Sequence, residues 1–89
     1  MDGDTKDEKQ QIGVVTHFFP NVSVAVINPS EPVKKGDHVK FCDKEGNVVL
    51  EQDVNSMQID HKDIENVKKG EEFAMLVDQP VKEGFTVCK

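Results

Sequence analysis

A chain of 89 residues with 36% hydrophobic content has room for one domain with a thin core, and none for a catalytic cleft between two domains. With no Trp, no Tyr and five Phe, aliphatic side chains must build that core and phenylalanine must supply most of its bulk. The formal charge is −6 and all 11 basic residues are lysine, so the planar guanidinium that reads guanine and phosphate in a bidentate manner is missing, which counts against tight sequence-specific nucleic-acid binding.

Residues 1–11 (MDGDTKDEKQQ) hold no apolar side chain after Met1 and cannot offset the entropy of being ordered. We expect a disordered acidic tail there and a single domain over 12–89. From Ile12 onward Val, Ile and Phe fall in short runs broken by Gly, Pro and Asn, and no stretch sustains a period of 3.6. Strands are expected at 12–19, 22–27, 37–42, 48–59, 72–78 and 85–88. Pro20-Asn21 joins the first two, 43–47 is a hairpin loop whose Gly46 and Asn47 can take positive φ, and 63–69 is expected to form one short helical turn. Six short strands point to an all-β fold, a small closed or nearly closed six-stranded barrel.

One phrase recurs: Val33-Lys34-Lys35-Gly36-Asp37, Val67-Lys68-Lys69-Gly70-Glu71 and Val81-Lys82-Glu83-Gly84-Phe85. Each reads as a tight turn with the valine plugged into the barrel rim, the lysine exposed and the glycine left-handed. The spacing is unequal, so this is recurring turn chemistry and not a solenoid repeat. Lys34, Lys35, Lys68, Lys69 and Lys82 could together line an anion-facing or partner-facing rim, although exposed lysine beside a turn is also ordinary surface.

These pieces, in this order, resemble the β-barrel that follows the GTPase domain in translation factors such as elongation factor Tu. The resemblance spans most of 12–89 and rests on Gly13, the Val33–Asp37 turn, Val54-Asn55-Ser56-Met57, Lys69-Gly70-Glu71, the run from Phe73 to Val77, and Val81-Lys82-Glu83-Gly84. Val15-Thr16-His17-Phe18-Phe19, Val24-Ala25-Val26-Ile27, and Ser56-Met57-Gln58-Ile59 with His61 look most like stand-alone translation elongation factor-like proteins. They are also similar to the C-terminal barrel of the collagenase-like peptidase family. No GxxxxGK[ST] phosphate loop is present, so GTP hydrolysis of the P-loop kind is excluded for this chain. Ser56, Gln58 and Ile59 stand where aminoacyl-tRNA carriers of the resembled family have acidic, aromatic and basic groups, which argues against capture of an aminoacylated tRNA end.

His17, His38, His61, Cys42 and Cys88 lack metal-ligand spacing, and no cofactor or metal is expected. Cys42 and Cys88 are read as reduced thiols that pack as small hydrophobes. His38 lies four residues before Cys42, about 13 Å away along a strand, too far for direct proton transfer. Asp60 with Asp63, and Glu71 with Glu72, flank turns where solvated acids are common.

The patch chosen as a partner contact is Ser56, Met57, Gln58, His61 and Lys62, with Met57 as an adaptable apolar contact, although Met57 and Ile59 on one strand face equally suit the core. The leading expectation is a non-enzymatic module docking on a protein or ribonucleoprotein partner in translation or RNA modification. The alternative is an accessory subunit supplying its barrel in trans to a collagenase-like peptidase-family enzyme, and a Cys-dependent enzyme is a third reading. No apolar run approaches the ~20 residues of a membrane span, and the acidic N-terminus is unlike a secretory signal. We therefore expect a cytoplasmic protein, monomeric by default.

Overall fold

The computed structural model describes residues 11–89. The expected tail lies outside the described residues except for Gln11, which already opens the first strand opposite Cys88. The strands are β1 (Gln11–Phe19), β2 (Val24–Pro29), β3 (Val33–Lys34), β4 (His38–Cys42), β5 (Val48–Asp53), β6 (Gln58–Ile59), β7 (Lys62–Asp63), β8 (Asn66–Val67), β9 (Phe73–Leu76) and β10 (Thr86–Cys88). No helix occurs among the described residues.

The expectation of an all-β chain holds, and the expectation of a closed or nearly closed six-stranded barrel does not. Eight strands form one sheet in the order β5-β4-β10-β1-β2-β9-β6-β7, and β3 pairs with β8 as a separate ribbon. The two edges, β5 and β7, do not pair. What spans the seam is a side chain: Gln52 on β5 is 7% exposed, its Nε2 donates to the Leu76 carbonyl at 3.0 Å, and its Oε1 accepts from the Asp78 N–H at 2.8 Å. A carboxamide carries both a donor and an acceptor, so it stands in for one residue of a missing strand.

The three recurring phrases all fold as expected. In each, the residue after the glycine donates to the carbonyl three positions back, at 3.1 Å: Asp37 to Lys34, Glu71 to Lys68 and Phe85 to Lys82. The third residue of each turn is a glycine at φ 98, 82 or 92°, which a side chain rarely adopts. The valines are 2–3% exposed. Every one of these glycines also donates its N–H to a distant carbonyl, Gly36 to Val54, Gly70 to Pro29 and Gly84 to Val15. Val54 and Val15 return the bond, donating to Asp37 and Phe85, whereas Pro29 has no N–H to return. The turns therefore extend the ends of existing ladders, the first at β4–β5, the second at β2–β9 and the third at β1–β10.

Such non-local bonding explains two departures from the sequence reading. The strand expected over 48–59 breaks after Asp53, because the Val54 backbone is taken by the first turn. The helical turn expected over 63–69 is replaced by β7 and β8, since the Ile64 N–H donates to Met57, the Glu65 carbonyl accepts from Lys35, and Val67 pairs with Val33 across the ribbon. Local propensity allowed a helical turn, and non-local pairing overrode it. Between β1 and β2, Ser23 sits at φ 55° and the Val22 N–H donates to Phe19, so β2 starts two residues later than expected.

In β9 the alternation is strict: Phe73 and Met75 point in, Ala74 and Leu76 out. The fully buried set includes Phe41, Ile27, Met57, Met75 and Val15, each worth about 1.5–3 kcal/mol relative to exposure. Of the five phenylalanines only Phe41 and Phe73 are wholly buried, so valine, isoleucine and methionine carry more of the bulk than expected. Gly13 is buried where β1 meets β2, and a Cβ there would lie 3.0 Å from Ile27 Cγ2 and 3.1 Å from the Asn28 carbonyl.

Gln52→Ala removes both seam bonds and leaves the partly buried Leu76 carbonyl and Asp78 N–H without their protein partner. We expect it to destabilise the fold by about 2–4 kcal/mol, seen as a lower urea midpoint with an unchanged slope. A loss under about 0.5 kcal/mol would show that the seam does not depend on this side chain.

Candidate functional site

β6 and β7 form a hairpin whose two loop residues, Asp60 (φ 54°) and His61 (φ 65°), both lie in the left-handed region. That is the backbone of the two-residue turn whose twist suits a hairpin, made here without glycine. Asp and His tolerate the conformation better than most side chains, and Gln58 Nε2 donating to Asp63 Oδ1 at 2.9 Å braces the base. The hairpin carries Asp60 and His61 to its exposed tip.

The cluster chosen from sequence is thereby divided. Met57 is 1% exposed and belongs to the core, so it cannot serve as the adaptable surface contact. Ser56 is half-buried, and its Oγ accepts from the Leu76 N–H at 3.3 Å, a structural duty beyond the point where β6 pairs with β9. Gln58, His61 and Lys62 are exposed. Gln58 and His61 border a hollow of about 590 Å³ whose other walls are Phe19, Val22, Val24, Asp60 and Ala74. A smaller hollow of about 170 Å³ shares Val24, Gln58 and Ala74 and extends past Ser56 to Leu76.

The result is an apolar strip on the outer sheet face. Phe19, Val22 and Leu76 are 50%, 58% and 53% exposed. The His17 ring stacks with Phe19 at a centroid distance of 6.2 Å, and His17 Nδ1 lies 3.4 Å from the Glu83 carboxylate. Sequence reading missed Phe19, Val22 and Leu76 as surface groups. The signal was available for Leu76, because Phe73 and Met75 facing the core oblige it to face out.

The lysine turns do not form one rim. The β3–β8 ribbon brings the first two together, and Lys34, Lys68 and Lys89 line a hollow of about 390 Å³. Lys82 lines a different hollow, with Asp43, Lys44 and Glu83. Lys35 and Lys69 are exposed at the turn corners. Acids already occupy the turn amides: Lys34 N–H donates to Asp37 Oδ2 and Lys68 N–H to Glu71 Oε1, each at 3.0 Å. Burial pushes the Asp37 carboxyl up, but the Lys34 N–H and the Lys89 ammonium 3.2 Å away outweigh it and hold the group below its ordinary value.

His38 is clamped between two carboxylates, with Nδ1 2.8 Å from Asp53 Oδ1 and Nε2 3.0 Å from Glu51 Oε2. The carboxylates accept from both ring nitrogens when the ring is protonated, so the clamp favours the imidazolium form and raises the pKa. This arrangement turns His38 away from any role as a base for Cys42. Among the described residues no group of three or more His, Cys, Asp or Glu side chains is placed to hold a metal ion. No helix there is long and apolar enough to cross a membrane.

Comparison with known proteins adds the following. No family model matches the chain. It is 41% identical over 83 residues to an uncharacterized protease of Methanocaldococcus jannaschii, a match covering 93% of this chain and 20% of that protein. The chain thus spans about a fifth of the length of the curated relative it matches. Two crystal structures of the C-terminal domain of a Geobacillus thermoleovorans protein described as a U32 peptidase superpose on it. The selenomethionine variant gives a TM-score of 0.82 at 17% identity, covering 90% of this chain and 99% of that one. The other gives 0.80 at 14% identity, covering 99% of both. This is a shared fold, and it supports the collagenase-like peptidase half of the resemblance drawn from sequence rather than the translation-factor half.

The His38 clamp makes a pH prediction. Hydrogen bonds to the carboxylates of Asp53 first and Glu51 second raise the imidazole pKa above the ordinary 6.5. A raised folded value means the clamp contributes its full stability below pH 6.5 and loses it as pH climbs through the folded pKa. In an NMR titration the His38 ring protons should turn over above 6.5, and Asp53→Asn should move the midpoint down. A midpoint at or below 6.5 in the unmodified chain would show that the ring is not clamped.

Proposed function

We propose that this chain is an accessory, non-catalytic domain that docks on a peptidase-family catalytic protein, using the apolar strip of Phe19, Val22 and Leu76 as its contact. The observation that carries this reading is the comparison. The chain matches a stretch equal to 20% of a protein described as a protease and shares the fold of a domain belonging to one described as a U32 peptidase. A domain found as a minor part of a longer chain has neighbours, and a surface strip of half-exposed apolar side chains is what a neighbour would cover. The polar groups around the strip, Gln58, Asp60 and His61, would form its rim. Docking on a translation partner draws no support from these relatives. The absence of arginine and the net charge of −6 also weigh against an RNA surface.

The test uses the methanogen protease from which the matched stretch has been deleted, titrated calorimetrically with this chain. We expect binding in trans, and Phe19→Asp and Leu76→Asp each to weaken it by at least about tenfold while leaving the thermal midpoint near its starting value, since both side chains are half-exposed. A folded chain that shows no heat of binding would sink the accessory reading. Binding that is indifferent to both substitutions would sink the choice of surface.

A further inference from the structure

The two cysteines lie 46 positions apart in sequence, and the fold sets their sulfurs 3.9 Å from each other. β4 and β10 pair Cys42 with Thr86 and Lys40 with Cys88. Alternation therefore puts both thiols on the same sheet face, diagonal across adjacent antiparallel strands, while Phe41 and Val87 point to the other face and into the core. Exposure is 1% for Cys42 and 4% for Cys88. The register against β5 slips between Phe41 and Cys42, with Val49 as the extra residue on β5. The location also matters: β10 is the strand through which the β4–β5 hairpin joins the rest of the sheet.

We propose that Cys42 and Cys88 form a reversible oxidation site, the two thiols facing each other on β4 and β10 closing to an intramolecular disulfide under a small-molecule disulfide oxidant. A disulfide bond is about 2.05 Å long, so the sulfurs, now 3.9 Å apart, must approach by about 1.9 Å. Side-chain rotation and a slight drawing together of the strands supply that approach. A diagonal pair starts wider than a directly opposed one, so the bond closes under some strain, and strained disulfides are the readily reduced ones. The site is a switchable staple.

The chemistry balances without any further reactant. Cys88, the less buried thiol, loses its proton and attacks one sulfur of the oxidant, forming a mixed disulfide and expelling one small thiolate. Cys42 loses its proton and attacks the Cys88 sulfur, expelling the second small thiolate. The two protons end on the two small thiols, the protein pair is oxidised by two electrons, and the small disulfide is reduced by two. Burial places a gate on the first step, because the oxidant reaches Cys88 only when β10 opens locally. Closure would then tie the hairpin to the rest of the sheet across 46 positions of sequence, restricting the unfolded chain.

The test incubates the whole folded chain with oxidised glutathione, removes the excess, unfolds the protein, adds N-ethylmaleimide and reads the intact mass. We expect a product lighter by two hydrogens, with no maleimide adduct, restored by dithiothreitol, and a thermal midpoint raised by about 5 °C or more. Cys42→Ser and Cys88→Ser cannot close and should retain one glutathione or take one maleimide. Two maleimide adducts on the treated chain, a stable mixed disulfide at Cys88, or closure only in urea beyond the unfolding midpoint would each overturn the proposal. It stands independently of the accessory-domain reading, since no partner enters the measurement.

Discussion

The carboxamide of Gln52 is the constraint on which the architecture turns. An eight-stranded sheet of this curvature brings β5 round toward β9, but β5 and β7 remain unpaired edges, and the backbone from Leu76 to Asp78 would face the gap with unmet hydrogen bonds. Gln52 meets two of them, Ser56 Oγ takes the Leu76 N–H, and the Ser23 carbonyl takes the Val77 N–H. Side chains and a turn do the work of a strand. A hydrophobic residue at position 52 would fill the same volume and leave the backbone orphaned, a cost that burial of a few methylenes does not recover. The fixed path of β9 in turn decides which of its residues reach the surface. Leu76 is on the outer strip because Phe73, Met75 and Val77 are held facing inward.

The glycine turns extend the same logic to the rest of the chain. Each carries a glycine N–H bonded to a carbonyl of the neighbouring chain segment, so the turns fasten the ends of paired strands. Two of them also tie an acid back onto their own first amide, Asp37 onto Lys34 and Glu71 onto Lys68, and the third has Phe85 in that place. That difference is physical. Phe85 is half-buried against the core, and its turn gains from apolar packing what the others gain from a charged cap.

How much of this was legible before folding follows from the same distinction. The turns were legible because lysine, glycine and a preceding valine state a local conformation outright. The all-β class was legible because β-branched residues in short runs fit a pleated surface and little else. Sheet closure was not, since whether two edges meet depends on bulges and crossings, such as the break at Val54, that arise from non-local hydrogen bonds. The 63–69 segment misled for that reason. Its composition permits a helical turn, and only the presence of Val33 opposite Val67 makes it a ribbon. The proximity of Cys42 to Cys88 and of His38 to Glu51 and Asp53 was equally invisible, because in each case strand register, and no spacing rule, brings the groups together. Met57 was legible only as a choice between core and surface, and alternation with Gln58 settles it as core.

What the polar groups are already doing narrows where a partner can act. The Asp43 carboxylate is spent on the amides of Asn47 and Glu45 in its own loop, which hold it below its ordinary pKa. His38 is spent on Glu51 and Asp53, Asp37 on Lys34 and Lys89, and Ser56 on Leu76. Groups so committed must break an internal bond before they can bind anything else, and that cost falls on any ligand that recruits them. The strip of Phe19, Val22 and Leu76 carries no such debt. Covering it removes apolar surface from water without dismantling any hydrogen bond, so on energetic grounds it is the part of this molecule most ready to meet a protein surface.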